Sequence, residues 1–153
     1  MSSCDASFGS SGQSFAHLSS DNRLHLWDVA SKKLKKSYVE KNHLTHSFTC
    51  YNWKSSKDTS GTFVVGYSDG IIVVWDLNRG VVAQTIGNAK ESQPPTDVVL
   101  ARDGKSVYVS TDLNNIVRYD ITNGNQISTI KAGKKGVQKL AMNPKVDVIA
   151  AAG

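Results

Sequence analysis

The side chains of this chain best suited to proton transfer, nucleophilic attack or metal ligation are four histidines and two cysteines, and their spacing assembles none of those chemistries. His17, His25, His43 and His46 show no HExxH or comparable ligand spacing, so each reads as structural or solvated. Cys4 and Cys50 belong to no CxxC pair. Cys50 lies in an apolar-alternating run with no adjacent base to lower its thiol pKa, and reads as buried. No serine occupies a GxSxG elbow, and the glycine-rich stretch Phe8 to Gly12 lacks the Lys-Ser/Thr ending with which a phosphate loop grips phosphate and magnesium. The chemistry-bearing residues that do form a pattern are aromatic-Asp pairs: Trp27-Asp28, Trp75-Asp76 and Tyr119-Asp120.

The pairs mark an internal repeat. Asp21 to Asp28 recurs as Asp69 to Asp76 at an offset of 48 residues, with a turn-forming aspartate six residues ahead of the tryptophan in both. A third copy, Asn115 to Asp120, follows 44 residues later with Tyr119 in place of tryptophan. Each is preceded by a β-rich run: Ser14 to Leu18, Thr62 to Tyr67 and Ser106 to Thr111. Each is followed by a short turn and a further alternating run, at Leu34 to Tyr38, Val81 to Ile86 and Gln126 to Ile130. With Phe48 to Trp53, Thr96 to Ala101 and Val137 to Met142 as leading strands, every period holds four strands. Such a sheet cannot bury both faces alone, so successive sheets must stack around a common axis.

The segment Ser68 to Asp76 and its two relatives make the chain resemble a WD-repeat β-propeller protein. The Gly-His dipeptide usual in that family before a repeat's first strand is absent, and His43 is the nearest substitute. The resemblance implies a buried network of His, Ser or Thr, turn Asp and Trp within a blade; Asp21 with Trp27, and Asp69 with Trp75, retain half of it. The expected fold is all-β: a flexible lead-in over 1–13, then a partial, unclosed propeller over 14–153 with three four-stranded blades and the start of a fourth. That count is below the roughly four to eight blades a ring needs, so an N-terminal piece of a longer protein is expected.

Trp27, Trp75 and Tyr119 could be imagined as an aromatic ligand cage, but recurrence at the repeat spacing favours packing between blades. Asp28, Asp76 and Asp120 are placed to accept backbone N–H groups of the following turn, and their spacing disperses them where acid-base or metal chemistry needs convergence. The basic residues are more suggestive. Lys32, Lys33 and Arg79 fall in turns after aromatic-Asp pairs, and Lys54, Lys57, Lys105 and Lys145 in turns between the first two strands of a blade, so all should line one rim. Lys131, Lys134 and Lys135 should reach the opposite rim. A rim of this kind could hold an acidic partner or RNA phosphates through point charges, though Asp58, Asp103 and Asp147 dilute it and a merely solvated rim is the plainer reading.

Net charge is +5, a modest basic excess. The polar N-terminus lacks a secretory signal and the thiols are unpaired in motif, which point to a reduced intracellular compartment. The apolar run Ile71 to Trp75 is far short of the ~20 residues of a membrane helix. The stretch Leu18 to Trp53, with Trp27-Asp28, Tyr38-Val39, Asn42-His43-Leu44 and Thr49 to Trp53, is similar to the first blade of a nucleolar WD-repeat subunit of the small-subunit processome. That resemblance implies a non-catalytic scaffold in pre-rRNA processing and rDNA transcription, in the nucleolus or nucleus, held by other proteins of a large complex with indirect or backbone-only RNA contact. It implies no cofactor, metal, membrane or small-molecule substrate. A generic WD-repeat adaptor in a ubiquitin ligase or trafficking assembly is the alternative, and a propeller hydrolase the remote one.

Overall fold

Runs rich in Val, Ile, Thr and aromatic residues become strands where each hairpin partner covers the backbone and each neighbouring sheet covers a face. The computed structural model describes residues 5–42, 44–54, 61–87 and 92–153. The first sheet is β1 (Asp5–Phe8), β2 (Ser14–Leu18), β3 (Leu24–Asp28) and β4 (Lys33–Tyr38). The second is β5 (Phe48–Lys54), β6 (Thr62–Tyr67), β7 (Ile72–Asp76) and β8 (Val81–Ile86). The third is β9 (Pro95–Leu100), β10 (Ser106–Thr111), β11 (Asn115–Asp120) and β12 (Gln126–Lys131), and the fourth is the pair β13 (Lys139–Met142) and β14 (Ile149–Ala152). All are antiparallel, ordered as in the sequence, and none closes on itself. The regular elements of the described residues are thus all strands, in blade-like units of four, four, four and two.

Within the stretch 1–13, expected as a flexible lead-in, Asp5–Phe8 is a strand, in register from Asp5 opposite Leu18 to Phe8 opposite Phe15. Asp5 and Ala6 are poor strand formers, and pairing with β2 supplies the backbone hydrogen bonds that hold them extended.

The sheets stack face to face. Between the first and second lie Ala16, Leu18, Leu24, Leu26 and Tyr38 on one side and Phe63, Val65, Tyr67, Val73 and Trp75 on the other. Between the second and third lie Cys50, Val64, Ile72, Val74 and Ile86 against Val98, Leu100, Val107 and Val109. The second sheet is therefore covered on both faces, which is why β6 and β7 read as unbroken apolar runs. The first sheet alternates instead: Leu24 and Leu26 face the second sheet, while His25 and Trp27 on the same strand point the other way. That outward face gathers Phe8, Phe15, Trp27 and the stacked imidazoles of His17 and His25, whose centres are 5.8 Å apart. The outer strands are exposed, and β4 carries three lysines that discourage edge pairing.

Two details repeat from sheet to sheet. The pairing of third and fourth strands slips at Leu26/Trp27, Val74/Trp75 and Arg118/Tyr119, so each aromatic follows a bulge. The first strands of successive sheets run side by side in the same direction: Thr49 donates to the Pro95 carbonyl at 2.7 Å, and the equivalent Thr96 donates to the Val137 carbonyl at 2.5 Å. Gly66 sits where Pro95 of the third sheet presses against the second. A Cβ there would lie 2.5 Å from Pro95 Cγ and 2.8 Å from Cys50 Sγ. Gly66→Ala is expected to cost roughly 1–2 kcal/mol by forcing these sheets apart, read as a lower urea midpoint at unchanged slope.

Candidate functional site: a cleft and its basic rim

Each hairpin pair sends two turns to the same end of its sheet. Val29 N–H bonds the Gln13 carbonyl, Leu77 N–H that of Gly61, and Ile121 N–H that of Lys105, tying the turn after the first strand to the turn after the third. Lys32, Lys33, Arg79, Lys105 and Lys145 are exposed on this end. Lys57, with Asp58 and His43, lies outside the described residues. Lys54 also belongs to this end, but its ammonium is committed: it donates to the carbonyls of Ala101 and Arg102, capping the neighbouring sheet's turn. Lys134 lies on the opposite end, where its carbonyl accepts from Asn114 Nδ2 at 3.3 Å, and exposed Lys131 and Lys135 flank that connection.

The repeat aspartates organise the turns of the basic end. Asp28 accepts from Ser31 N–H at 2.7 Å, Asp76 from Asn78 and Arg79 N–H at 3.0 Å each, and Asp120 from Thr122 N–H at 2.7 Å. Those backbone donors hold the Asp28 and Asp120 carboxyls below the usual carboxylate range. A depressed native pKa gives stability that is present above the unfolded value and lost as pH falls through the folded one. Thermal stability is expected to be level above about pH 5 and to drop below about pH 4, with a shallower drop in the double variant Asp28→Asn, Asp120→Asn.

The fifth residue of each turn has a left-handed backbone: Gly80 at φ +69°, Gly124 at φ +74°, and Lys32 at φ +58°. A lysine there carries a steric cost of about 1 kcal/mol that its glycine counterparts avoid. Lys32→Gly is expected to raise stability by up to about 1 kcal/mol, measured by chemical denaturation, while removing one positive charge from the rim.

The repeat aromatics separate by position. Trp75 is 5% exposed and meets Tyr38 of the first sheet edge to face at 5.7 Å, and Tyr38 donates its hydroxyl to the Leu77 carbonyl at 2.9 Å. Burial, then the nearby Asp76, raises the Tyr38 pKa. Tyr119 packs half-buried on the core between the second and third sheets. Trp27 is half-buried on the outward face, opposite Phe15. The turn aspartates differ too. Asp21 accepts from Ser19 and pairs with Arg23 Nε at 2.9 Å. Asp69 accepts from Ile71 N–H and meets His46 Nε2 at 3.2 Å. His46 is therefore a histidine beside a turn aspartate, its ring 5.1 Å from that of Tyr67 and its Nδ1 buried without a hydrogen-bond partner among the described residues. Burial, then Glu40 and Asp69, drives the Tyr67 pKa upward. Cys50 is buried as expected, its thiol pushed up to about 11, chiefly by desolvation.

Between the first strands lies a feature the sequence reading did not find, a cleft of about 520 Å³ that opens at the basic end. Trp53, Leu100, Leu140, Met142 and Pro144 form its apolar walls, and Asn52, Lys54 and Arg102 its polar side. Two side chains fix its shape: Asn52 Oδ1 accepts Leu100 N–H at 3.0 Å, and Asp97 Oδ2 accepts Leu140 N–H at 2.8 Å. Among the described residues no three His, Cys, Asp or Glu side chains gather at metal-ligand spacing. No protein-family model matches the chain, and no curated protein matches it either.

Proposed function

We propose that the chain is part of a WD-repeat propeller that serves as a non-catalytic interaction scaffold, in the early pre-rRNA processing machinery of the small ribosomal subunit. The observation that carries the scaffold reading is the shared end: successive sheets deliver Lys32, Lys33, Arg79, Lys105 and Lys145 on short turns braced by Asp28, Asp76, Asp103 and Asn143, at the end where the first strands also form an apolar cleft. A rigid sheet array with charged loops at one end suits docking of partner chains and point-charge contact with phosphates, with salt-sensitive affinity. The fold alone does not assign a partner; the processome assignment rests on the similarity of Leu18 to Trp53 to the first blade of that family's nucleolar subunit. The protein would act in the nucleolus, bound to other proteins of the complex, with RNA touched only through its backbone.

Affinity purification of the intact protein from its own cells tests this. Recovery of pre-ribosomal RNA together with processome proteins is expected. Their absence, with ubiquitin-ligase or trafficking components in their place, would assign the protein to a generic adaptor instead.

A further inference from the structure

The cleft between β5, β9 and β13 has a more specific chemistry than the rim around it. Its walls are mainly apolar, from Trp53, Leu140, Met142 and Pro144. Asn52 has its amide orientation fixed, because Oδ1 is taken by Leu100 N–H, so the NH₂ end is left as donor. Lys54 is spent on the carbonyls of Ala101 and Arg102. Asp97 lies behind Leu140, its two oxygens engaged by the N–H groups of Val98 and Leu140. Asp103, next in sequence to Arg102, pairs with Arg118 at 3.7 Å. Arg102 itself is exposed, and its guanidinium has no acidic partner among the described residues. The cleft thus offers one uncommitted cation and one oriented amide donor beside apolar walls, in a volume of about 520 Å³ that falls within the range of ligand sites.

We propose that this cleft binds an acidic peptide segment of a partner protein, seating one apolar side chain against Trp53, Leu140 and Met142 and pairing an adjacent carboxylate with Arg102 and the Asn52 amide. The proposal rests on the scaffold reading above and names the partner chemistry of its site. Charge complementarity selects a carboxylate, and the apolar walls select a side chain beside it. A nucleic acid strand fits less well, because backbone tracking requires several free cations along a groove and the cleft offers one. The site lies along the first strands, where successive sheets run side by side.

The test is fluorescence anisotropy on the full chain with a fluorescein-labelled short peptide alternating glutamate and leucine. Control probes are the same peptide with serine for leucine, the same with lysine for glutamate, and a labelled uridine oligonucleotide. Saturable binding of the glutamate-leucine peptide is expected, weakened about tenfold or more by Arg102→Glu and by Pro144→Asp. Both substitutions are at exposed positions, and unchanged circular dichroism and melting would show that the fold is kept. The serine and lysine versions should bind at least about tenfold more weakly. Three results would overturn the proposal: no saturable binding of the peptide, binding indifferent to both substitutions, or preference for the oligonucleotide. Recovery of the processome by the intact protein would stand unaffected by any of these, so loss of the cleft proposal and loss of the scaffold reading are separate outcomes.

Discussion

Trp75→Ala is expected to destabilise the chain by about 3–5 kcal/mol, while Trp27→Ala, at the same position of the repeat, costs far less. Trp75 is sealed between two sheets, touching Tyr38 across the interface and Phe63 beside it on its own sheet, and truncation would leave a cavity the rigid sheets cannot collapse into. Trp27 follows the same bulge and precedes the same aspartate but points to the outward face, so its loss removes only partial burial. Urea denaturation of both variants measures the contrast. Equal losses at the two sites would mean that the aromatics serve their own sheets and not the stacking of one on the next.

The second large effect concerns Asp97. Asp97→Ala is expected to cost about 1.5–3 kcal/mol and to act mainly on the fourth sheet, because it removes the charged acceptor from Leu140 N–H, the bond that holds β13 against β9. Thr96 provides a parallel link through the Val137 carbonyl, so the last sheet should loosen and not detach. Amide hydrogen exchange is the appropriate readout. Residues 139–142 and 149–152 should lose protection while β6 and β7 keep theirs. Uniform loss through all four sheets would show that Asp97 supports the whole array and is not a local clasp.

The strands were largely legible because their signals are local. β2, β6, β8 and β10 have the limits their β-branched and aromatic content indicates, and the offset between Trp27 and Trp75 locates equivalent hairpins. The unbroken apolar character of Thr62 to Tyr67 and Ile71 to Trp75, set against the alternation of Leu24 to Asp28, reports that one sheet has two neighbours and the other has one face turned away. β1 escaped notice because it is only four residues long, with Asp5 and Ala6 disfavouring a strand, and is held by its partner.

The cleft was not legible for a related reason. Its builders occupy unlike repeat positions: by register Asn52 matches Val99, and Asp97 matches Cys50, so no periodic signal links them. Hairpin order alone assigns a turn charge to one end of a sheet, but does not say whether its side chain is free. Lys54 looked like a rim cation and instead caps the next sheet's turn, whereas Arg102, which no repeat singled out, is the cation left beside the apolar walls. Likewise His46 was one of four unplaced histidines until the approach of β5 to the turn at Asp69 gave it a partner.

The central claim is that these sheets stack as successive blade-like units, Trp75 and Tyr119 each packing on the sheet before its own. Isotope-edited nuclear Overhauser spectroscopy on the Trp75 indole tests it directly. Cross-peaks to the ring protons of Tyr38 are predicted, since the two ring centres are 5.7 Å apart and their edges closer. A Trp75 indole with contacts only to its own sheet, and open to a soluble paramagnetic probe, would contradict it.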